Sequence, residues 1–423
     1  MQAAAVGGLQ LEGPCGGKGT CGQNGDTLGI ASSTNMQNIF GSDVVSRIEH
    51  TISDLQGLDQ LQKRAVKTIN DLIEMLSTKT GILSMNIYKV MAVENTTMEH
   101  LFLGLDPRYL ARAPFTPVMT HPVELEAREI GLRVNPHAEV CLIPNIAGYV
   151  GGDTTSAIIA TRVYEKSGIY LIVDIGTNGE MVLSIDGNML ACSTAAGPAF
   201  EGAQIKCGMR AAPGAIEGVV FDGDISLKVI ENIVPTGICG SGLLQAVQVM
   251  VSTGVLLSGG KMLNRKEAEK KGLPSSLIER LGADESGNFF VLSHPGGIQE
   301  GIIITQGDVR ALQLAKGAIR TGIEVLLKEA GITAGDITQV LMAGAFGNYI
   351  DKESALSLGL LPKVDPEKIC LVGNAAGTGA QMALLSDNFW EKAYDVSQKV
   401  RHIELSGRKD FHEMFMKYLG LHS

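Results

Sequence analysis

Residues 170–190 read YLIVDIGTNGEMVLSIDGNML. An apolar run ends on a carboxylate, Asp174, and passes at once into Gly176, Thr177, Asn178 and Gly179 before a second apolar run begins. Two physical explanations are open. Thr-Asn-Gly is good hairpin chemistry, because asparagine and glycine accept the backbone angles of tight turns, and Asp174 is then an exposed strand-end carboxylate. Alternatively, Gly176 and Gly179 admit a ligand close to the backbone, the turn amides form an anion nest, and Thr177 and Asn178 add short donors. Asp174 would then hold Mg²⁺ through water. The second explanation predicts a cradle for nucleotide phosphates.

Working outward, apolar strands alternate with helical patterns from Tyr170 onward, and each strand runs into glycines at its carboxyl end. That order predicts an α/β fold, in which ligands collect where the strands stop. LMAGAFGNYI repeats the strand-to-glycine design at Gly344, Phe346, Gly347 and Asn348, with Phe346 placed to pack beside a purine; a plain strand-to-helix turn is the alternative. TGICGSGLLQAV, with Gly240, Ser241 and Gly242, and VGNAAGTGAQ, with Gly373, Gly377 and Gly379, enter helices, whose amino ends attract phosphate. Glu201 in STAAGPAFEG is a candidate catalytic carboxylate that orients water; a solvated loop carboxylate is the alternative.

Upstream, DVVSRIEHTI and LDQLQKRAVKTINDLIEML space apolar residues three and four apart, as amphipathic helices do. NIYKVMAV reads as a strand, followed by a helix that Thr96 or Thr97 caps. The clearest helix is TQGDVRALQLAKGAIRTGIEVLLKEAG, with Thr305 and Asp308 as a capping box and Gly331 as the stop. Residues 1–35, rich in Gly, Ser and Thr, lack periodicity and are expected to be poorly packed.

Composition narrows the function. A formal charge of −10 with no basic cluster argues against nucleic acid and anionic membranes as partners. No apolar run approaches the ~18 residues of a membrane span, and the amino terminus has no signal-peptide pattern. Seven scattered cysteines suit reduced thiols in the cytoplasm. Cys15 and Cys21 sit in a glycine loop like that of a plant-type [2Fe–2S] site, but Asn24 stands where the next thiolate is expected, and two thiolates cannot complete the cluster.

Several runs together resemble the reductive activators of corrinoid proteins, in the ASKHA (actin/sugar kinase/Hsp70-like) superfamily. These are FGSDVVSRIEH, NTTMEHLFLGLDPRYLARAPF, IPNIAGYVGGDTTSAI, DIGTNGEMVL, STAAGPAFEGAQIKCGMRAAPGAIE, GICGSGLL and GAFGNYID, and the likeness covers roughly Asn35 to the end. It implies an actin-like, ribonuclease-H-like fold. Residues 1–31 would be a truncated ferredoxin remnant, 32–166 an α/β middle domain with an incomplete first lobe, and 167–423 the nucleotide-binding domain. It also implies a homodimer that couples ATP–Mg binding and hydrolysis to electron transfer from a [2Fe–2S] cluster to a cobalt(II) corrinoid protein of a methyltransferase system. Asp174–Glu180 would be the second phosphate loop, and Gly344–Asn348 the adenosine motif.

The sequence departs from the family pattern in three places. The ferredoxin region is cut down to PCGGKGTCG, a DIGTT-like first phosphate loop is absent after Leu28–Ala31, and Glu94 stands where the family usually has glycine. The expected function is therefore ATP-dependent reductive activation impaired by these losses, with Cys15 and Cys21 as relic cluster ligands. The alternatives are a non-catalytic corrinoid-protein binder and a small-molecule kinase of the same superfamily, although no acceptor signature stands out for the latter.

Overall fold

A computed structural model describes residues 4–10 and 14–21 as backbone, and residues 25–41, 43–285, 287–294, 301–344 and 350–421 with side chains. The described strands form four sheets. By packing, the chain divides into two units: Met1–Gly168 with Ser184–Ala191 and Asn374–His402, and Ile169–Leu183 with Cys192–Gly373 and Ile403–Ser423.

The first unit opens with β1 (Ala4–Gln10), β2 (Pro14–Cys21) and β3 (Thr27–Thr34), then α1 (Val44–Ser53), α2 (Gly57–Thr80), β4 (Ile87–Val93) and α3 (Thr96–Leu103). It continues through β5 (Val123–Glu126), α4 (Ala127–Ile130), β6 (Glu139–Leu142) and α5 (Gly152–Thr161). Its sheet has the order β3-β2-β1-β4-β6-β5. Within residues 1–35, expected to be poorly packed, the described backbone is ordered as strands. β1 to β3 extend that sheet, and in β3 Ala31 is buried while Leu28 and Ile30 stay exposed. Backbone hydrogen bonding to β4 supplies an order that weak side-chain periodicity does not reveal.

α2 supplies much of this unit's core. Leu61, Ala65, Ile69, Leu72, Ile73 and Leu76 recur at helical spacing and pack with Val90 of β4, Phe102 of α3 and Val140 of β6. The helix stops at Gly81, whose φ of 73° suits a left-handed cap. α3 is capped by the Asn95 side chain accepting from Met98 N, not by Thr96 or Thr97. Asn95 already occupies the extended position before the helix, which leaves both threonines inside the first turn.

The second unit begins in β7 (Ile169–Ile175), followed by β8 (Asn178–Ile185), β9 (Asn188–Ala195), β10 (Ala215–Phe221), β11 (Ile225–Val229), β12 (Gly237–Ile238) and α6 (Gly240–Ser252). Next come α7 (Arg265–Lys270), α8 (Ser275–Ile278), β13 (Leu281–Asp284), β14 (Gly287–Ser293), β15 (Ile302–Thr305), α9 (Gln306–Ala330), β16 (Gln339–Ala343), α10 (Lys352–Ser357) and β17 (Ile369–Gly373). The chain ends through α11 (Ala375–Leu385), α12 (Asp387–Lys399), β18 (Val400–His402) and α13 (Lys409–Tyr418), of which the first three elements group with the first unit.

The second six-stranded sheet has the order β17-β16-β7-β8-β9-β18, with β17, β16 and β7 parallel. α9 begins with the capping box read from the sequence: Asp308 N donates to Thr305 Oγ1 at 3.1 Å, and Thr305 N to Asp308 Oδ2 at 2.8 Å. It ends at Gly331. Among the described residues no helix is long and apolar enough to cross a membrane.

Candidate nucleotide site

Parallel register brings Asp174 beside Ala343, and Ala343 beside Gly373, in one row at the carboxyl ends of β7, β16 and β17. Gly344 follows directly, with its amide donating to Gly373 O at 3.0 Å. Its φ is 93°, and a Cβ built there would lie 2.6 Å from Asp174 Oδ1 and 2.8 Å from Ile175 O. Only glycine lets β16 turn so close to this carboxylate. The two strand-end signals chosen from the sequence therefore meet in space, while Phe346, Gly347 and Asn348 lie outside the described residues.

After Asp174 the chain reverses through a tight turn closed by Gly176 N donating to Asn178 O at 3.0 Å. Thr177 is tied down at two atoms. Its carbonyl accepts from Gly197 N at 2.8 Å, and its hydroxyl donates to Glu201 Oε1 at 2.5 Å. Glu201 closes a single 3₁₀ turn, Pro198–Glu201, that packs against α6 and α9. A loop carboxylate with no local partner in sequence is thus half-buried and aimed at the turn below Asp174.

Two expectations about backbone change. The amides of Gly176 and Gly344 are engaged inside the protein, so they add nothing to a phosphate nest. Gly179 faces the core: its missing Cβ would meet Ile319 Cγ1 at 2.7 Å and Thr194 Oγ1 at 3.2 Å, so it seats the turn on α9. Backbone donors remain at α6. Cys239 precedes this helix without a side-chain cap, and the first-turn amides of Gly240, Ser241 and Gly242 have no intrahelical acceptor by helix geometry. Ser241 Oγ lies 3.3 Å from Cys239 Sγ, and Gly242 is required because a Cβ would meet Ile216 O at 2.1 Å. The VGNAAGTGAQ turn has structural duties: Asn374 caps Gly377 N at 2.7 Å, and Gly379 lies against Ser156 O.

The side chains of Cys15 and Cys21 lie outside the described residues, but their backbone is described. Cys15 and Cys21 stand near opposite ends of the extended strand β2, roughly 20 Å apart along the backbone at ~3.3 Å per residue. Cys141, Cys192 and Cys239 are buried, and among the described residues no three His, Cys, Asp or Glu side chains are arranged to hold a metal ion. Burial pushes the Cys141 thiol up to about 12, the opposite of a metal-binding thiolate.

A family model described as the C-terminal domain of RACo, the ASKHA domain, matches residues 168–423, and one described as the RACo middle region matches residues 22–166. The chain belongs to the RACo family. Corrinoid activation enzyme RamQ of Eubacterium limosum is 36% identical over 397 residues, covering 93% of this chain and 66% of that protein. A Co(II) methylated amine-specific corrinoid protein reductase of Methanosarcina barkeri is 29% identical over 294 residues, covering 66% of this chain and 51% of that protein. A solved structure titled reductive activator for corrinoid, iron-sulfur protein matches with a TM-score of 0.91 at 34% identity, over 99% of this chain and 66% of that one. The family resemblance and the ASKHA fold class read from the sequence are borne out. The chain spans just under two thirds of RamQ and of the solved activator, and about half of the Methanosarcina reductase.

Proposed function

We propose that this chain is an ATP-dependent reductive activator of corrinoid proteins whose own residues supply the nucleotide-driven part of the work. The single observation that carries the reading is the row of Asp174, Ala343 and Gly373 across three parallel strand ends, with Gly344 next to it and Glu201 clamped to the adjoining turn by Thr177. In that arrangement Asp174 holds the hydrated Mg²⁺ of Mg–ATP. The amides that open α6 attract phosphate. Glu201, oriented by Thr177, accepts a proton from attacking water. Bound Mg–ATP supplies the hydrolysis free energy that an uphill one-electron reduction of cobalt(II) to cobalt(I) requires.

Cys15 and Cys21 are two of the four thiolates that a [2Fe–2S] cluster needs, so the pair alone does not hold one; a low-potential donor supplies the electron. On the same reading the partner is a corrinoid protein of a methyltransferase system, and the chain works as a cytoplasmic homodimer. Residues 32–166 act as its middle domain and 167–423 as its nucleotide domain, with 1–31 a remnant.

Calorimetry with Mg–ATP tests the nucleotide step. Micromolar binding that Asp174→Ala abolishes is the expected result, and no heat at millimolar ATP would refute it and leave a non-catalytic binder of corrinoid proteins. The activation step is checked by ATP-dependent growth of the cobalt(I) absorbance when the chain, a corrinoid protein and a chemical reductant are mixed.

A further inference from the structure

We propose that Glu94, Glu99 and Asp153 form a buried acid cluster in the first unit that carries protons in the folded state and ties the start of α3 to the start of α5, so that this junction loosens when the protons leave. None of these groups belongs to the candidate nucleotide site.

The geometry is unusual for carboxyl groups. Glu94 is 3% exposed, Glu99 2% and Asp153 9%. Among the described residues neither oxygen of Glu94 has a hydrogen-bond partner, nor has Glu99 Oε1, nor the Asn95 side-chain amide nitrogen. Asn145 Nδ2 donates to Glu99 Oε2, and Asn145 Oδ1 accepts from Gly152 N at 2.9 Å. Asp153 Oδ1 accepts from Thr154 N at 2.6 Å, and Asp153 N donates to the Glu94 carbonyl at 3.2 Å. The two chain segments touch closely: a Cβ on Gly151 would lie 2.5 Å from Asn95 Cα and 2.7 Å from Glu94 O. Glu94 and Glu99 flank the amino end of α3, while Asp153 lies in the first turn of α5.

Three ionised carboxylates cannot share such a site without a counter-charge, since burial and mutual repulsion both favour the neutral acid. The surrounding groups supply none. Glu94 is influenced by Glu99 and Asp153, and Glu99 by Asp153 and the neutral Asn145; no lysine, arginine or histidine enters either balance. Nearby on α1, Arg47 is committed elsewhere, to Gly41 O, Asn38 Oδ1 and Met98 Sδ. His100 on α3 lies between Thr96 O and Val118 N, and since Nε2 accepts from that amide, the ring is neutral; burial lowers its pKa further. Across from α3, α2 offers the neutral Gln62, which donates to Phe102 O. No metal-ligand arrangement exists among the described residues, so the neutralising charge is a proton. In agreement, burial followed by repulsion from Glu99 and Asp153 raises Glu94 well above the usual carboxylate range. Burial pushes Glu99 up to about 8, with Asn145 opposing, and burial also raises Asp153.

The sign follows from linkage. A carboxyl raised in the folded state binds a proton on folding, so its support is full below the unfolded value near 4.5 and is lost as pH rises through about 8. Each proton released then lowers protection of the junction by up to about tenfold per pH unit.

Hydrogen exchange on the full chain between pH 6 and pH 9, corrected for intrinsic rates, reads this directly. The amides of α3 and α5 should lose protection across that window, and the double variant Glu94→Gln, Glu99→Gln should remove the extra pH dependence. If the double variant does not fold, Glu99→Gln alone should reduce the slope. Infrared difference spectra provide a second readout, in which a protonated-carboxyl C=O band at pH 7 disappears in the Gln variants. An unchanged slope or the lack of that band would overturn the proposal. So would saturable protection of the wild type by MgCl₂, CaCl₂ or KCl that the variants lose, because a cation would then hold the site.

Discussion

Replacing Gly344 by alanine tests the close approach of β16 to Asp174. A φ of 93° is outside the comfortable range of an L-residue, and the new methyl would stand 2.6 Å from Asp174 Oδ1 and 2.8 Å from Ile175 O. The backbone strain costs about 1–2 kcal/mol. The overlap adds about 1–2 kcal/mol, because Ile175 O is main chain and cannot swing aside while Asp174 can. The sum, about 2–4 kcal/mol, corresponds to a fall in melting temperature of roughly 5–15 °C for a unit of this size. Gly223→Ala is the control: its φ is 78° with nothing within 4 Å of a built Cβ, so it carries strain alone, about 1 kcal/mol. Thermal melts of the two variants, with Mg–ATP titrations alongside, separate the terms. Gly344→Ala should be the less stable of the two and should weaken nucleotide binding by displacing the Asp174 carboxylate. Equal stabilities with unchanged affinity would refute the crowded strand end.

Three other perturbations have defined outcomes. Thr177→Ala releases Glu201 from its clamp, costs about 1 kcal/mol because the pair is half-exposed, and should slow ATP hydrolysis while leaving Mg–ATP affinity near wild type, the reverse of Asp174→Ala. Thr305→Ala removes half of the α9 capping box and should lower stability by about 1 kcal/mol in urea titrations. Lys316 is 1% exposed, donates to Gly420 O, and is lowered to about 8 by burial and then by Arg320. The unfolded chain holds its proton longer, so stability should rise with pH from about 8 to 10.5. The ammonium costs about 3 kcal/mol near neutral pH on the linkage scale, and Lys316→Met should flatten that rise in urea midpoints measured across the window.

Much of the second unit was legible in the sequence because its signals are local. Thr305, Asp308 and Gly331 delimit α9 by hydrogen-bond chemistry that operates within four residues. Strand ends such as Asp174 and Gly344 announce themselves by a carboxylate or glycine after an apolar run. What failed was the inference from glycine to function. Gly179 and Gly379 look like ligand-facing glycines, yet each makes room for a neighbouring element, and only three-dimensional packing distinguishes the two causes. The sheet β13-β14-β15 is not legible in the sequence, since its short strands contain Gly282 and Asp284 and no clean alternation marks them, although their pairing is between neighbours in the chain. The acid cluster around Glu94 escaped because its members come from separate segments, 94–99, 145 and 153, and burial is invisible in any one of them. Two glutamates five residues apart beside the apolar run YKVMAV were the available hint.

α9 touches two distant stretches of the second unit at once. Ile319 fills the space beneath Gly179, while Gln313 and Lys316, up to six residues earlier on the helix, grip Leu419 O and Gly420 O, and Arg320 covers the Tyr418 ring. The helix therefore works as a rigid beam, with the turn below Asp174 resting on one side and the carboxyl-terminal segment strapped to the other. A substitution at Leu419 or Gly420 therefore bears on the same helix that seats the turn below Asp174.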